Sequence, residues 1–169
     1  MTTSRGPGLA ARNRSDGGRP ILDLILAVLH HLAILSLILI VGAELALIRG
    51  ELSAAALRRL ATIDLGYGIA AGAIVVIGVA RVVFGPKGWV FYVHNPWFWT
   101  KMATFLVLGL LSIHPTVAFL RWRRAADADA AFSPPPAGVA AVRRTILIEA
   151  ALLALIVAFA AAMARFGSY

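Results

Sequence analysis

Four apolar blocks, at about 21–48, 60–84, 98–120 and 142–165, constrain this chain more than any motif in it. Each is long enough for a helix to cross about 30 Å of hydrocarbon. Short polar loops join them, so consecutive helices run antiparallel. The expected fold class is all-α: a polytopic membrane protein, a four-transmembrane-helix up-down bundle with both termini on one side. Composition agrees. With 60% hydrophobic residues among 169, too little polar side chain remains to coat a soluble domain. One transmembrane domain over 21–169 is expected, preceded by a disordered, Gly/Ser/Arg-rich tail over 1–20. The first block is too long for a signal h-region and lacks a small-residue cleavage site. Cysteine is absent, which excludes disulfides, thiolate metal sites and thiol nucleophiles. The net charge of +8 sits in short clusters flanking the blocks, a pattern suited to anionic headgroups. The lipid bilayer is the expected partner, and nucleic acid is not.

The connection between the second and third blocks, GPKGWVFYVHNPWFWTK, differs in kind. Trp89, Phe91, Tyr92, Trp97, Phe98 and Trp99 crowd into it, and such residues lie at headgroup level. A turn and a short interfacial aromatic segment are expected between helices 2 and 3, with Pro96 near the start of the next helix. Pro134, Pro135 and Pro136 predict an irregular last loop running to about Val142. Gly68 and Gly72 form a small-xxx-small pattern that lets a neighbouring helix come close. Basic residues are nearly balanced between the two sides. Arg49, Arg58, Arg59, Arg121, Arg123, Arg124, Arg143 and Arg144 face Arg5, Arg12, Arg14, Arg19, Arg81, Lys87, Lys101 and Arg165. The first set is paired and closer to the span ends, which favours it as the cytoplasmic side, with periplasmic termini.

Ionisable residues inside the blocks carry the functional reading, because charge in hydrocarbon is costly. Glu44, Asp64, His114 and Glu149 sit one in each block, one to two turns from Arg49, Arg59, Arg121 and Arg144. At about 1.5 Å per residue all four lie roughly 7–11 Å below those arginines. Three carboxylates and a histidine at one depth suit a divalent cation, or the passage of protons. The plainer alternative is that each carboxylate pairs with its nearby arginine. Pro115, directly after His114, predicts a kink. Toward the other side, Asp23, His30 and Glu44 fall within about 60° of one another on the first helix, and His31 points away. Arg81, Lys101 and Arg165 bring cations from the other three helices. That set suits an anionic ligand beside His30, haem propionates included; the plainer alternative is snorkelling to headgroups. His30 and His114 cannot share one iron, since they lie roughly 28 and 10 Å from the paired-arginine side. His94 falls in the aromatic connection, solvated or against headgroups. No phosphate loop, nucleophile elbow or His-Glu zinc motif is present.

The stretches LHHLAILSLILIVGAELALIRG, LATIDLGYGIAAG and RVVFGPKGWVFYVHNPWFWTKMATFLVLGLLSIHPTVAFLRWRR resemble an uncharacterised bacterial family of four-span inner-membrane proteins, over about residues 21 to 166. The resemblance implies the four-span fold and a multi-pass place in the bacterial inner membrane; it supplies no activity. More distantly, the arrangement is similar to HemJ-type protoporphyrinogen oxidases and CopD copper-resistance membrane proteins. In the HemJ type an intramembrane histidine opens the first span, and a lysine opens a later span that ends in a histidine. His30, Lys101 and His114 match those roles. The Leu-Pro-Arg signature after the first span is absent, and the Lys101-to-His114 spacing is slightly longer. Three functions follow as expectations. One is a bundle holding haem b, or another redox ligand, near Asp23, His30, Arg81 and Lys101. Another is a cation-binding or proton-conducting protein using Glu44, Asp64, His114 and Glu149. The third is a non-catalytic accessory subunit whose Gly68/Gly72 face meets a second copy or a membrane-complex partner. The residues do not decide whether the protein is an enzyme.

Overall fold

The computed structural model describes residues 18–85 and 88–166. Most of the expected polar tail, and Lys87, lie outside the described residues. Five helices follow one another: α1 (Gly18–Leu47), α2 (Ala54–Phe84), α3 (Gly88–Val93), α4 (Pro96–Ala128) and α5 (Pro136–Phe166). All but α3 are long and apolar enough to cross a membrane. In the bundle α1 packs on α2, α2 on α4, α4 on α5, and α5 back on α1. Neither diagonal pair is in contact among the described residues, so the four helices close a four-sided bundle. The short α3 lies against α2 and α4 at one end.

Heptad-like stripes build the core. In α1 the buried positions are Leu37, Val41 and Glu44, with Ile48 just past its end; in α5 they are Val142, Ile146, Glu149, Leu153 and Ile156. Steps of three and four residues keep one narrow face turned inward, as in other bundles with shallow crossing angles. The outer faces are as apolar as the core. Ile69 and Val76 are 67% and 70% exposed, and Leu39, Leu65 and Leu106 are similarly bare. In water such a band would aggregate; in lipid it is the surface the solvent requires.

The helices outrun the apolar blocks at the paired-arginine end. α2 begins at Ala54 because Ser53 caps it, its Oγ accepting from the Ala56 N–H at 3.4 Å, and alanines fill the first turn. α4 runs on to Ala128, and Asp127 near its end accepts from Arg58 of α2 at 2.9 Å. The last loop is irregular only over 129–135. It is shorter than the prolines predicted, since Pro136 opens α5 where a missing N–H leaves no bond unmade. α4 also stays helical through Pro115, which is buried and cannot donate to the Leu111 carbonyl.

At the opposite end the aromatic connection folds as expected. Gly88 takes φ +68°, a left-handed turn that opens α3. Asn95 is fully buried and caps α4, its Oδ1 accepting from the Trp97 N–H at 3.0 Å ahead of Pro96. The Trp99 indole donates to the Val93 carbonyl at 2.8 Å. Phe91, Tyr92, Phe98 and Trp99 meet edge to face, with centroids 5.3 to 5.6 Å apart.

Candidate functional site

Three carboxyl groups meet inside the bundle near its paired-arginine end. Glu44 of α1, Asp64 of α2 and Glu149 of α5 are 1%, 7% and 0% exposed. Each stands in the inward stripe of its helix. They are close enough for their charges to act on one another: those of Asp64 and Glu149 reach Glu44, and that of Asp64 reaches Glu149. Tyr67, one turn along from Asp64 on α2, is also buried, and the charges of all three carboxyls act on its hydroxyl. Asp64 accepts a hydrogen bond from Thr116 Oγ1 of α4 at 2.9 Å. Both oxygens of Glu149, Oε1 of Glu44 and the Tyr67 hydroxyl have no hydrogen-bond partner. The nearest polar neighbour of Tyr67, Ser112 of α4, donates its own proton to the Gly109 carbonyl at 2.8 Å.

The arginines do not neutralise this cluster. Arg49, Arg59, Arg121 and Arg144 are all exposed, and among the described residues the ion pairs are those of Asp127 with Arg58 and Arg123. The carboxylate–arginine pairs weighed from the sequence are therefore not formed.

His114 is a correction. The quartet expected from the sequence is a trio of acids, because His114 faces outward. The inward stripe of α4 is Leu108, Pro115, Phe119, Trp122 and Ala126, and His114 stands one position, about 100°, off it. Its Nδ1 meets Thr145 Oγ1 of α5 at 2.9 Å, on the surface. The Thr145 hydroxyl itself donates to the Ala141 carbonyl at 3.3 Å, so the imidazole is the donor. Among the described residues no group of three or more acids and histidines is arranged to hold a metal ion. What α4 brings to the cluster is hydroxyl: Thr116 and Ser112. Those two and Tyr67 were missed in the sequence, where hydroxyls are too common to stand out. The signal available was Tyr67 at three residues from Asp64, on the same helical face.

Gly68 and Gly72 also differ from expectation. A Cβ on either would meet no atom within 4 Å, so neither seats a helix of this chain. Gly68 instead joins Gly109, Phe105, Leu108 and Leu120 in lining a crevice of about 510 Å³ between α2 and α4. Asp64, Tyr67, Ser112 and Thr116 form its polar wall.

The second constellation lies at the aromatic end. Asp23, His30 and Glu44 are seven and fourteen residues apart on one stripe of α1, and the first two are half-buried. The charges of Lys101 and Arg81 both reach the His30 ring. His30 Nδ1 and Arg81 Nε are buried without a partner. Lys101 Nζ sits 5.6 Å over the Phe98 ring. Asp23 lies beside the end of α2, within 3.8 Å of where a Cβ on Gly85 would be, and pairs with neither cation. Burial pushes the Tyr92 phenol of α3 above its ordinary value, and Arg81 acts against that shift. Arg165 is exposed, as are His31 and His94, whose Nδ1 atoms bond the carbonyls of Ala27 and Val90.

The family profile described as "Predicted membrane protein (DUF2214)" matches residues 22–167, nearly all of the helical chain. The chain belongs to that family. It is a membrane protein of four apolar helices, as the sequence expectation of an uncharacterised four-span family required. No curated protein and no solved structure matches it, and the more distant likeness to HemJ-type oxidases and CopD proteins gains no support.

The haem implied by that likeness fits this DUF2214 bundle poorly. A ligating histidine ordinarily donates its second ring nitrogen to a carbonyl or carboxylate. His30 Nδ1 has no such partner. The ring packs towards α2, its Cε1 within 3.6 Å of where a Cβ on Gly78 would be. Arg81 and Lys101 suit an anion; the imidazole beside them is not set up as an axial ligand.

Proposed function

We propose that this membrane protein handles protons through Glu44, Asp64 and Glu149, with Tyr67, Ser112 and Thr116 as the hydroxyl groups around them. One observation carries the reading. Three carboxyls from three helices are buried in the bundle interior, and among the described residues none of them forms an ion pair. A charge placed there costs on the order of 3 kcal/mol even on lenient insertion scales. Three carboxylates within mutual reach cannot all be ionised, so protons must occupy part of the cluster. A proton arriving at an ionised member turns it into the neutral acid, and its departure restores the charge. Asp64 is the natural point of exchange, because it lines the crevice between α2 and α4 and has a hydroxyl donor. Glu149, enclosed and unpartnered, is the deep member. The divalent-cation reading is weaker, since His114 is not in the set. The bacterial inner membrane is the compartment we assign, from the four-span architecture and the basic clusters at both ends.

The test is proton flux into liposomes containing the purified full chain, driven by a potassium diffusion potential and followed with a pH-sensitive dye. Flux above protein-free liposomes is expected, falling to background in Glu149→Gln and recovering in Glu149→Asp. Flux equal to protein-free liposomes in the unmodified protein would overturn the reading and leave an accessory role.

A further inference from the structure

The aromatic end of the bundle carries a separate charge imbalance, roughly 21 Å along α1 from the carboxyl cluster. Arg81 lies in the last turn of α2, Lys101 near the start of α4, and His30 on α1. Arg81 and Lys101 are the two cations of this set. Both are half-buried, and each charge reaches the His30 ring. The charge of Arg81 also reaches Lys101. Two cations held near each other inside a protein repel, and a chain that folds this way needs a countercharge. Asp23 is the candidate within the molecule, yet it forms no ion pair with either cation among the described residues. Arg81 Nε and His30 Nδ1 remain buried and unpartnered, so hydrogen-bonding capacity as well as charge is left over.

The surroundings say where the anion comes from. The interfacial helix α3 and the edge-to-face set of Tyr92, Phe98 and Trp99 cover this end, and such aromatic residues mark headgroup depth. We propose that Arg81, Lys101 and His30 form a binding site for a phosphate-bearing anion at the membrane interface, at the end of the bundle where α2 packs against both α1 and α4. Arg81 supplies a planar fork of donors and Lys101 a point charge, the combination by which phosphates are commonly held. The imidazole of His30 adds one hydrogen bond. The phosphate reaches the site from an anionic phospholipid headgroup or as free phosphate, and the two sources are separable.

Native mass spectrometry of the purified full chain with added phosphatidylglycerol, against phosphatidylcholine, reads the lipid. Calorimetric titration with inorganic phosphate reads the free ion. One phosphatidylglycerol retained per chain in preference to phosphatidylcholine is expected, weakened about tenfold by Arg81→Gln or Lys101→Gln, the loss of one charge-assisted bond each. Lys101→Arg should keep the binding, and Arg165→Gln, an exposed cation at the same end, should leave it unchanged. Saturable phosphate binding with the same dependence on these variants would place the source in solution and equally support the site. Binding of neither probe would overturn the proposal. So would a loss in Arg165→Gln equal to that in Arg81→Gln, which would show surface charge alone. A Soret band in the purified protein that His30→Ala bleaches would also overturn it, by assigning the residues to haem.

Discussion

Glu149 shows how much of this molecule rests on single side chains. It is fully buried, and both its oxygens lack partners. A residue chosen for stability alone would not stand there, since apolar replacement of a buried charged group is often neutral or stabilising. Glu149→Leu is therefore expected to leave the thermal midpoint in detergent unchanged or raised, while proton flux is lost. Ile146, one turn away on the same stripe and equally buried, should behave oppositely: Ile146→Ala costs about 2–5 kcal/mol by the cavity it opens. If Glu149→Leu unfolds the protein as readily as Ile146→Ala does, the carboxyl is structural. Asp64 differs from Glu149 in having a donor. Thr116→Val keeps the shape but removes that donor, leaving a buried carboxyl oxygen unsatisfied. A loss of about 1–3 kcal/mol is expected in denaturant titration; His114→Ala, on the lipid-facing surface, should lose less than Thr116→Val.

The helix is the scale at which the sequence is most legible and most misleading. Existence and order of the four spans follow from block length, and α1, α2, α4 and α5 stand where the blocks do. Their ends do not, because the turns beyond the blocks are held by Ser53, by Asp127 with Arg58, and by Pro136 rather than by hydrophobicity. The inward face is harder still. In water a helix marks its core side by contrast with a polar side, but in lipid both sides are apolar and that contrast vanishes. Only the polar residues report it, and they report it for three helices. On α4 the histidine attracted the reading, while the stripe through Pro115 and Phe119 turned Thr116 and Ser112 towards the cluster. Gly68 and Gly72 misled for a related reason: small residues permit close packing but do not say against what. The start of α4 offers a check on a feature that was readable. Asn95 precedes Pro96 and satisfies the Trp97 N–H. Asn95→Ala should cost about 1 kcal/mol in thermal or denaturant unfolding, with the near-ultraviolet signal of the packed tryptophans weakening first.

At the scale of the whole molecule the two polar constellations sit towards opposite ends of one bundle, and membrane orientation decides which end meets which compartment. Four antiparallel spans place the α1–α2 and α4–α5 loops on one side, and α3 with both helical termini on the other. The counts of basic residues on the two sides are too even to fix the direction, but the arginines of the loop side come in pairs beside the span ends: Arg58 with Arg59, Arg123 with Arg124, Arg143 with Arg144. Charges within a few residues of a span weigh most in setting orientation. With the loop side in the cytoplasm, as we propose, the carboxyl cluster would open towards that face and the cationic site towards the periplasm. The absence of cysteine makes this directly measurable, since any thiol introduced is the only one. Glu51, Ser133 and His94 are all exposed, the first two in the loops and the last beside α3. With a membrane-impermeant maleimide on intact cells, His94→Cys should label, while Glu51→Cys and Ser133→Cys should label only after the membrane is permeabilised. The reverse pattern would keep the bundle and invert it, moving the cationic site to the cytoplasmic leaflet. Labelling that separates Glu51→Cys from Ser133→Cys would break the antiparallel topology itself, because a bundle in which α1 packs on both α2 and α5 holds those two loops on one face.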